Sequence, residues 1–270
     1  MLCDILVCPK CGQAISKTAG SFVCENKHTY DIASSGYVNF NTKFASSGDS
    51  TDMVKARSHF LDGGYYADFS NVLKSIITKL SPRTVVDAGC GEGYYSADIA
   101  DIPDVTLLGF DLSKYAVNKA AKRTSKHKGN ALFAVCSIFD LPIKDNSIDI
   151  VMSLFAPLAV DEFTRIIKPG GHIVMGVAGK DHLLGLKKAI YDNVYKNSPE
   201  KVIAPDGFFE ASREKIKYTV RLKGKEDIKA LFAMTPYYWK TSESDAAKLD
   251  SIEELETLLD FDIIVFERRA

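Results

Sequence analysis

The segment Val85-Val86-Asp87-Ala88-Gly89-Cys90-Gly91-Glu92-Gly93-Tyr94 constrains this chain more than any other. A β-branched run ends near an acid, passes through glycines at alternating positions and leads into a helix start. Glycines so placed let a backbone pass close to a ligand and reach positive φ without a Cβ penalty. The helix start beyond them offers free N–H groups to a carboxylate or phosphate. A dinucleotide fingerprint would be Gly-x-Gly-x-x-Gly. Here the third glycine comes one residue too early, and Asp87 stands two residues before the first.

The surrounding pattern predicts an α/β fold. Phe69, Val72, Leu73, Ile76, Ile77 and Leu80 form a helical stripe that Ser81-Pro82 ends. Strands are expected at 84–87, 106–110, 131–136, 148–154 and 172–177, with helical patterns between them. One of those helices carries Ala116, Val117, Ala120 and Ala121 on one face. Continuous apolar strands between helices mean a mostly parallel sheet covered on both faces. Residues 216–222 alternate apolar and polar, and 261–266 form a last apolar strand, which predicts a closing antiparallel pair.

The chain has 270 residues, of which 46% are apolar and 26% charged, an ordinary globular balance that needs no disulfide support. No apolar stretch approaches the ~18–20 residues of a membrane span, and no secretory signal is legible, so a cytoplasmic location is expected. The net charge of −1 excludes gross attraction to nucleic acid but leaves room for a local basic face.

Four of the six cysteines, Cys3, Cys8, Cys11 and Cys24, fall in the first 24 residues. Cys8-x-x-Cys11 and Cys24-x-x-x-His28, twelve residues apart, offer three thiolates and an imidazole, a set suited to two knuckles around tetrahedral Zn²⁺. A redox Cys-x-x-Cys would need neither Cys24 nor His28. Cys3 falls outside the pattern. Four protein ligands close the site, so its role should be structural. The expected organisation is a zinc module at 1–35, a linker or active-site loop segment at 36–65, and the α/β domain at 66–270.

The glycine turn with its preceding acid resembles motif I of the class I S-adenosylmethionine-dependent methyltransferases, whose turn cups the methionine end of the cofactor. Asp111, ending Leu108-Gly109-Phe110-Asp111-Leu112-Ser113, matches the acid that holds the ribose hydroxyls; the same acid would suit NAD. Lys168-Pro169-Gly170-Gly171 looks like a turn common in the same enzymes. Ser137 stands where many relatives carry an acid for the adenine amino group, so the serine, the backbone of Ile138, or Asp140 takes that place.

Further strings sharpen the resemblance. They are Cys8-Pro9-x-Cys11, Asp31-x-x-x-x-Gly36-Tyr37-Val38-Asn39, Phe60-Leu61-Asp62-x-Gly64-x-Tyr66, the motif I run itself, and Ala156-Pro157 after an aromatic. Together they resemble the 23S ribosomal RNA (guanine-N1)-methyltransferase family across nearly the whole chain. That resemblance implies a Rossmann-like class I methyltransferase with an N-terminal zinc module. It implies S-adenosylmethionine as cofactor, a hairpin of large-subunit rRNA as substrate, and a link to macrolide resistance of the tylosin type. It leaves a homodimer open. Carried over, it places Cys8, Cys11, Cys24 and His28 on zinc. Tyr66, Asp87, Gly89, Gly91, Glu92, Gly93, Asp111, Leu112, Ser137, Ile138 and His182 are placed at the cofactor.

Guanine N1 carries a proton at neutral pH, so its methylation calls for a base or for stabilisation of the purine anion. Asp140, Asp161, Glu162 and His182 are candidates by location. Phe155 and Pro157 follow the fourth strand, where relatives place the target base; Phe155 either stacks on the guanine or fills the core. N1 lies on the pairing edge, so the target must be unpaired or extruded. Two basic segments could meet RNA: Lys114, Lys119, Lys122, Arg123, Lys126 and Lys128, and Arg213, Lys215, Lys217, Arg221, Lys223 and Lys225. Two other readings compete, a methyltransferase of a small metabolite and a non-catalytic binding module with a vestigial cofactor fold.

Overall fold

A computed structural model describes residues 2–41, 49–125, 130–194, 196–197 and 202–270. Of the sequence expectations, residues 42–48 of the segment 36–65 and the lysines Lys126 and Lys128 lie outside these residues.

Strands β1 (Ile15–Lys17), β2 (Ser21–Cys24) and β3 (Thr29–Asp31) form a small antiparallel sheet behind helix α1 (Leu2–Ile5). The main sheet has eight strands. Its parallel part comprises β4 (Val38–Asn39), β5 (Thr84–Ala88), β6 (Thr106–Asp111), β7 (Ala131–Val135), β8 (Ile148–Leu154) and β9 (Ile167–Ala178). Strands β10 (Phe208–Lys223) and β11 (Glu254–Arg268) form the antiparallel pair, and the spatial order is β10-β11-β9-β8-β5-β6-β7-β4. β11 pairs antiparallel with both β10 and β9. The chain runs outward from β5 to β7, then returns to lay β8 on the other side of β5. Open α/β sheets bind ligands at the carboxyl ends of the strands where the order reverses in this way.

The helical stripe folds as α3 (Ala67–Leu80), with Phe69, Leu73 and Ile77 fully buried and Ser81 in the left-handed conformation at its end. Each such side chain contributes about 1.5–3 kcal/mol by leaving water, so Leu73→Ala would cost about 2–5 kcal/mol. The same layer holds α4 (Tyr94–Ala100) and α5 (Lys114–Arg123), whose buried face is Ala116, Val117, Ala120 and Ala121.

The opposite face is covered differently. Residues 136–147, between β7 and β8, form no helix. The N-terminal module lies there instead. Leu6 bridges Ile143, the Val7 N–H donates to the Pro142 carbonyl, and Lys144 N–H donates to the Ile5 carbonyl. Phe22 and Phe40 share a buried cluster with Leu108, Phe110 and Leu132 of the main sheet. β4, which follows the module, pairs in parallel with β7.

Three expectations are corrected. The segment 36–65 is not irregular throughout, because Thr51–Asp62 form helix α2. The Ser50 hydroxyl caps it by accepting from Met53 N–H, and Val54, Phe60 and Leu61 are buried. Strands β9, β10 and β11 all run longer than their apolar cores suggest. Lys168-Pro169-Gly170-Gly171 is a bulge within β9 rather than a separating turn: Ile148 pairs with Ile167 and Ile150 already with His172, and Gly170 takes φ +74°. These residues line a cavity of about 430 Å³ with Arg83 and Asp149, where Lys168 pairs with Asp149 at 2.6 Å.

Candidate functional site

The two cysteine knuckles close onto one another. Gly12 N–H and Lys27 N–H bond back to the carbonyls of Cys8 and Cys24, and both turns use positive φ, +72° at Gly12 and +63° at Lys27. The ligand atoms of Cys8, Cys11, Cys24 and His28 all lie within 4.8 Å of one another. Cys11 Sγ is 3.8 Å from Cys24 Sγ, and His28 Nδ1 is 3.5 and 3.4 Å from the sulfurs of Cys8 and Cys24. A tetrahedral Zn²⁺ holds two thiolates about 3.8 Å apart and a thiolate and imidazole about 3.5 Å apart. The donor set therefore fits the ion in both chemistry and spacing. Tyr30 Oη lies 3.3 Å from Cys8 Sγ, where it can donate to a thiolate. Cys3 stays outside the cluster.

A cleft of about 1150 Å³ opens at the carboxyl ends of β5, β6, β8 and β9. Its floor is the glycine turn. Gly89, Gly91 and Gly93 all adopt positive φ. At Gly89 a Cβ would come within 2.8 Å of Ala156, so the first glycine lets the two strand-end loops meet. The Gly91 N–H donates to Asp111 Oδ2 at 3.0 Å, and the Ser113 N–H donates to Oδ1 at 2.8 Å. These bonds aim the Asp111 carboxylate at the turn. Burial still raises its pKa, with the backbone donors opposing.

Asp87 is buried, and the Ser96 hydroxyl donates to it at 2.5 Å. Desolvation outweighs that bond and pushes the carboxyl up to about 7. A cationic ligand group would reverse this, so Asp87 fits the ammonium end of S-adenosylmethionine. Glu92 is also buried and raised by desolvation, with the Arg57 guanidinium 4.0 Å away. Arg57 comes from α2 and pairs with Asp49 at 2.5 Å.

The structure brings nearly all the expected cofactor residues together. Tyr66, Asp87, Gly89, Gly91, Glu92, Asp111, Leu112, Ser137, Ile138 and His182 line the one cleft. Gly93 does not. A Cβ there would lie 2.8 Å from the Ala120 Cα, so its bare backbone serves the packing of α4 on α5. His182 is buried and neutral, with burial drawing its pKa down to about 3. Its Nδ1 accepts from the Asp260 N–H, which leaves Nε2 to donate toward Tyr66 Oη at 3.4 Å.

Phe155 and Pro157 line the same cleft. Phe155 combines both of its expected readings: it is 46% exposed, yet its ring packs 5.3 Å from Phe69 and 5.6 Å from Phe261. Its φ of +54° turns the ring into the cleft, a conformation rare for an aromatic residue. Of the other acid–base candidates, Asp140, Asp161 and Glu162 do not line the cleft. Glu162 is engaged elsewhere, accepting from Leu141 N–H and from Arg165 at 2.6 Å.

Part of each basic segment is engaged by protein. Arg123 reaches Asp62 at 2.7 Å, and Lys119 donates to Ser58 at 2.7 Å, so both tie α5 to α2. Along β10, Arg213 pairs with Glu210 and Asp262, Lys217 with Asp181, and Arg221 with Glu254. Arg213, expected to meet RNA, lines the cleft, and lining residues that the sequence did not announce include Asp49, Arg57, Asp262 and the aromatic turn at Tyr237 and Trp239. Only the density of aromatics in Pro236-Tyr237-Tyr238-Trp239 hinted at the last.

Among the described residues no helix is long and apolar enough to cross a membrane. The family model "Methyltransferase domain" matches residues 79–232, and the zinc-ribbon model "RlmA, N-terminal" matches residues 6–40. The 23S rRNA (guanine(748)-N(1))-methyltransferase of Streptomyces fradiae is 32% identical over 255 residues, covering 90% of this chain and 89% of the relative. A protein of Micromonospora griseorubida is 30% identical with coverage of 90% and 89%, and one of Bacillus subtilis is 26% identical with 96% and 95%. Both carry names in the same methyltransferase class. The model match, the S₃N cluster and the cleft at the strand-order reversal agree. The chain belongs to the 23S rRNA (guanine-N1)-methyltransferase family.

Proposed function

We propose that this protein methylates N1 of a guanine in a hairpin of 23S rRNA, using S-adenosylmethionine. The observation that carries the reading is the single cleft in which Asp87, Gly91, Asp111 and Ser137 stand together beside Phe155 and Pro157, in a chain similar over nine-tenths of its length to an enzyme named for this reaction.

The roles follow from position. Asp111 accepts from the ribose hydroxyls with the lone pairs that Gly91 and Ser113 leave free. Ser137 and the Ile138 backbone meet the adenine edge. Asp87 takes the ammonium, and Tyr66, held by His182, closes over the methionine end. The bound sulfonium supplies an already activated methyl group. The protein's task is therefore mainly to align guanine N1 with it and exclude water. Phe155 and Pro157 receive the base from the strand-end side. In net terms the sulfonium S–CH₃ bond would break as the N1–CH₃ bond forms, leaving the thioether of S-adenosylhomocysteine, and the N1 proton would be released to solvent. His182 is too weak a base to take that proton, and its place is structural. Cys8, Cys11, Cys24 and His28 hold the zinc that folds the substrate-recognition module. The substrate puts the enzyme in the cytoplasm. The similarity to the Streptomyces fradiae enzyme favours a resistance-linked target. The homodimer that the resemblance left open is tested by sedimentation with and without RNA.

The test uses zinc-loaded protein, labelled S-adenosylmethionine and unmodified large-subunit rRNA, followed by mass spectrometry of the digest. N1-methylguanosine at one hairpin position, lost in Asp87→Ala, supports the reading. Tight cofactor binding without methylation of free RNA or assembly intermediates would sink it in favour of a small metabolite.

A further inference from the structure

The chain has a single tryptophan, and the fold holds it out in solvent. Trp239 ends the short 3-10 turn Pro236–Trp239 and is 67% exposed, with Tyr238 beside it at 45%. Trp239 and Tyr237 nonetheless line the same cleft as the glycine turn and Phe155.

The turn is rigid. The Tyr237 hydroxyl donates to Asn197, and its ring lies 5.2 Å from the Lys187 Nζ. Tyr238 packs edge-on against buried Phe232 at 5.6 Å and edge-on against Trp239 at 5.2 Å. The Lys240 N–H and the Thr241 hydroxyl both bond back to the Tyr237 carbonyl, and Thr241 is fixed by Tyr191 at 2.6 Å. A large apolar ring kept exposed on a braced turn does not stabilise the core. Its ordering is already complete before any partner arrives, which lowers the entropic cost of binding.

We propose that Trp239 is a base-stacking platform for the substrate RNA, receiving the nucleotide next to the extruded guanine. The inference rests on the rRNA-methyltransferase reading above and adds the residue that seats the substrate loop. Two observations, joined to a general property of aromatic rings, select an unpaired nucleobase as the occupant. The ring borders the cleft into which the target base must turn. Aromatic faces bind unpaired bases by stacking regardless of their sequence. Lys240, the next residue, is exposed and has no carboxylate partner among the described residues, so a cation stands ready for the adjoining phosphate. The turn lines the cleft together with Phe155 and Pro157, while the adenine end of the cofactor is expected at Ser137 and Ile138.

The lone tryptophan makes the test direct. The emission of the zinc-loaded protein is followed while S-adenosylhomocysteine, then the unmodified rRNA hairpin, is added. Quenching by the hairpin but not by S-adenosylhomocysteine supports the platform. Trp239→Ala should then raise the KM for RNA about 5- to 150-fold, with cofactor affinity and melting temperature unchanged. Trp239→Phe should recover most of the loss. If RNA is methylated but emission does not change and Trp239→Ala keeps the wild-type KM, the platform is overturned while the methyltransferase reading stands. A blue-shifted emission in the free protein that moves red on dilution would show a second copy covering the ring, and would also overturn it. If the wild-type protein methylates no RNA, the parent reading fails and this inference fails with it.

Discussion

The Gly91 N–H donates to Asp111 at 3.0 Å, so the glycine turn after β5 and the acid that closes β6 form one hydrogen-bonded unit. Ser113 N–H adds a second bond to the same carboxylate. Asp111→Ala removes the ribose acceptor and strands both donors. Hydrogen bonds to a charged group are worth about 1.5–3 kcal/mol each. Cofactor affinity should fall at least about tenfold, and the melting temperature should drop as well. Calorimetric titration with S-adenosylhomocysteine and a thermal melt read the two effects separately; unchanged affinity would remove Asp111 from the site.

Asp87 should make cofactor binding pH-dependent. Its carboxyl is raised to about 7 by burial, whereas binding an ammonium group favours the ionised form. Below pH 7 the ligand must displace a proton, and affinity should weaken by up to about tenfold per pH unit. Ser96 stabilises the charged form, so Ser96→Ala should move the onset to higher pH, and Asp87→Asn should abolish the dependence. In the cofactor-free protein the raised value acts the other way. The favourable contribution of Asp87 to folding is complete below the ordinary value of 3.8 and is lost as pH rises through about 7. Binding isotherms from pH 5.5 to 8.5 check the first part.

One Zn²⁺ per chain is expected, with a cobalt-substituted spectrum of tetrahedral S₃N type. Cys24→Ser should lose metal and RNA methylation together, whereas Cys3→Ser should retain both. Chelation should unfold the module, since structural zinc binding is largely folding energy. Metal analysis of the purified variants decides the point.

Gly93 should behave as a folding residue. Its φ is +78°, and any Cβ would meet the Ala120 backbone at 2.8 Å. Left-handed strain and overpacking together predict about 2–5 kcal/mol of destabilisation for Gly93→Ala. At Gly91 a Cβ meets only the Arg57 side chain at 3.5 Å. Gly91→Ala should therefore cost about 1–2 kcal/mol of strain and act mainly on cofactor affinity. Urea unfolding of the two variants should separate them; equal losses would refute the division.

His182, drawn down to about 3, is neutral throughout the working range and cannot supply a rate-controlling ionisation. His182→Asn should lower the rate by loosening Tyr66 while leaving the shape of the kcat–pH profile between pH 5.5 and 8.5 unchanged. A lost acidic limb in that variant would reinstate the histidine as a base.

The parallel strands were legible because continuous apolar runs such as Ala131–Val135 are buried on both faces. The zinc site was legible because two short knuckles fix four ligands locally. Helix α2 was hidden by its own function. Between the apolar pairs Met53-Val54 and Phe60-Leu61, the position one turn along holds Arg57 and Ser58, which face the glycine turn and Lys119. Their polarity breaks the apolar period. The charge pairing of β10 was equally hidden, because partners such as Asp181, Glu254 and Asp262 lie far away in sequence. The left-handed turn at Phe155 had no local signature, since no glycine marks it.

The N-terminal module occupies the place where a crossover helix would cover the sheet between β7 and β8, and β4 shields the edge of β7. Ser137 and Ile138 follow directly from that edge strand. Metal occupancy and the loop at Ser137 and Ile138 thus share one mechanical frame, and demetallation should be felt where the adenine is expected, without any dedicated signalling route. It would also bare a strand edge and the apolar floor around Phe110 and Leu132, the kind of surface that joins copies into aggregates. An α/β half cut free of its ribbon would be a sticky fragment rather than a smaller enzyme.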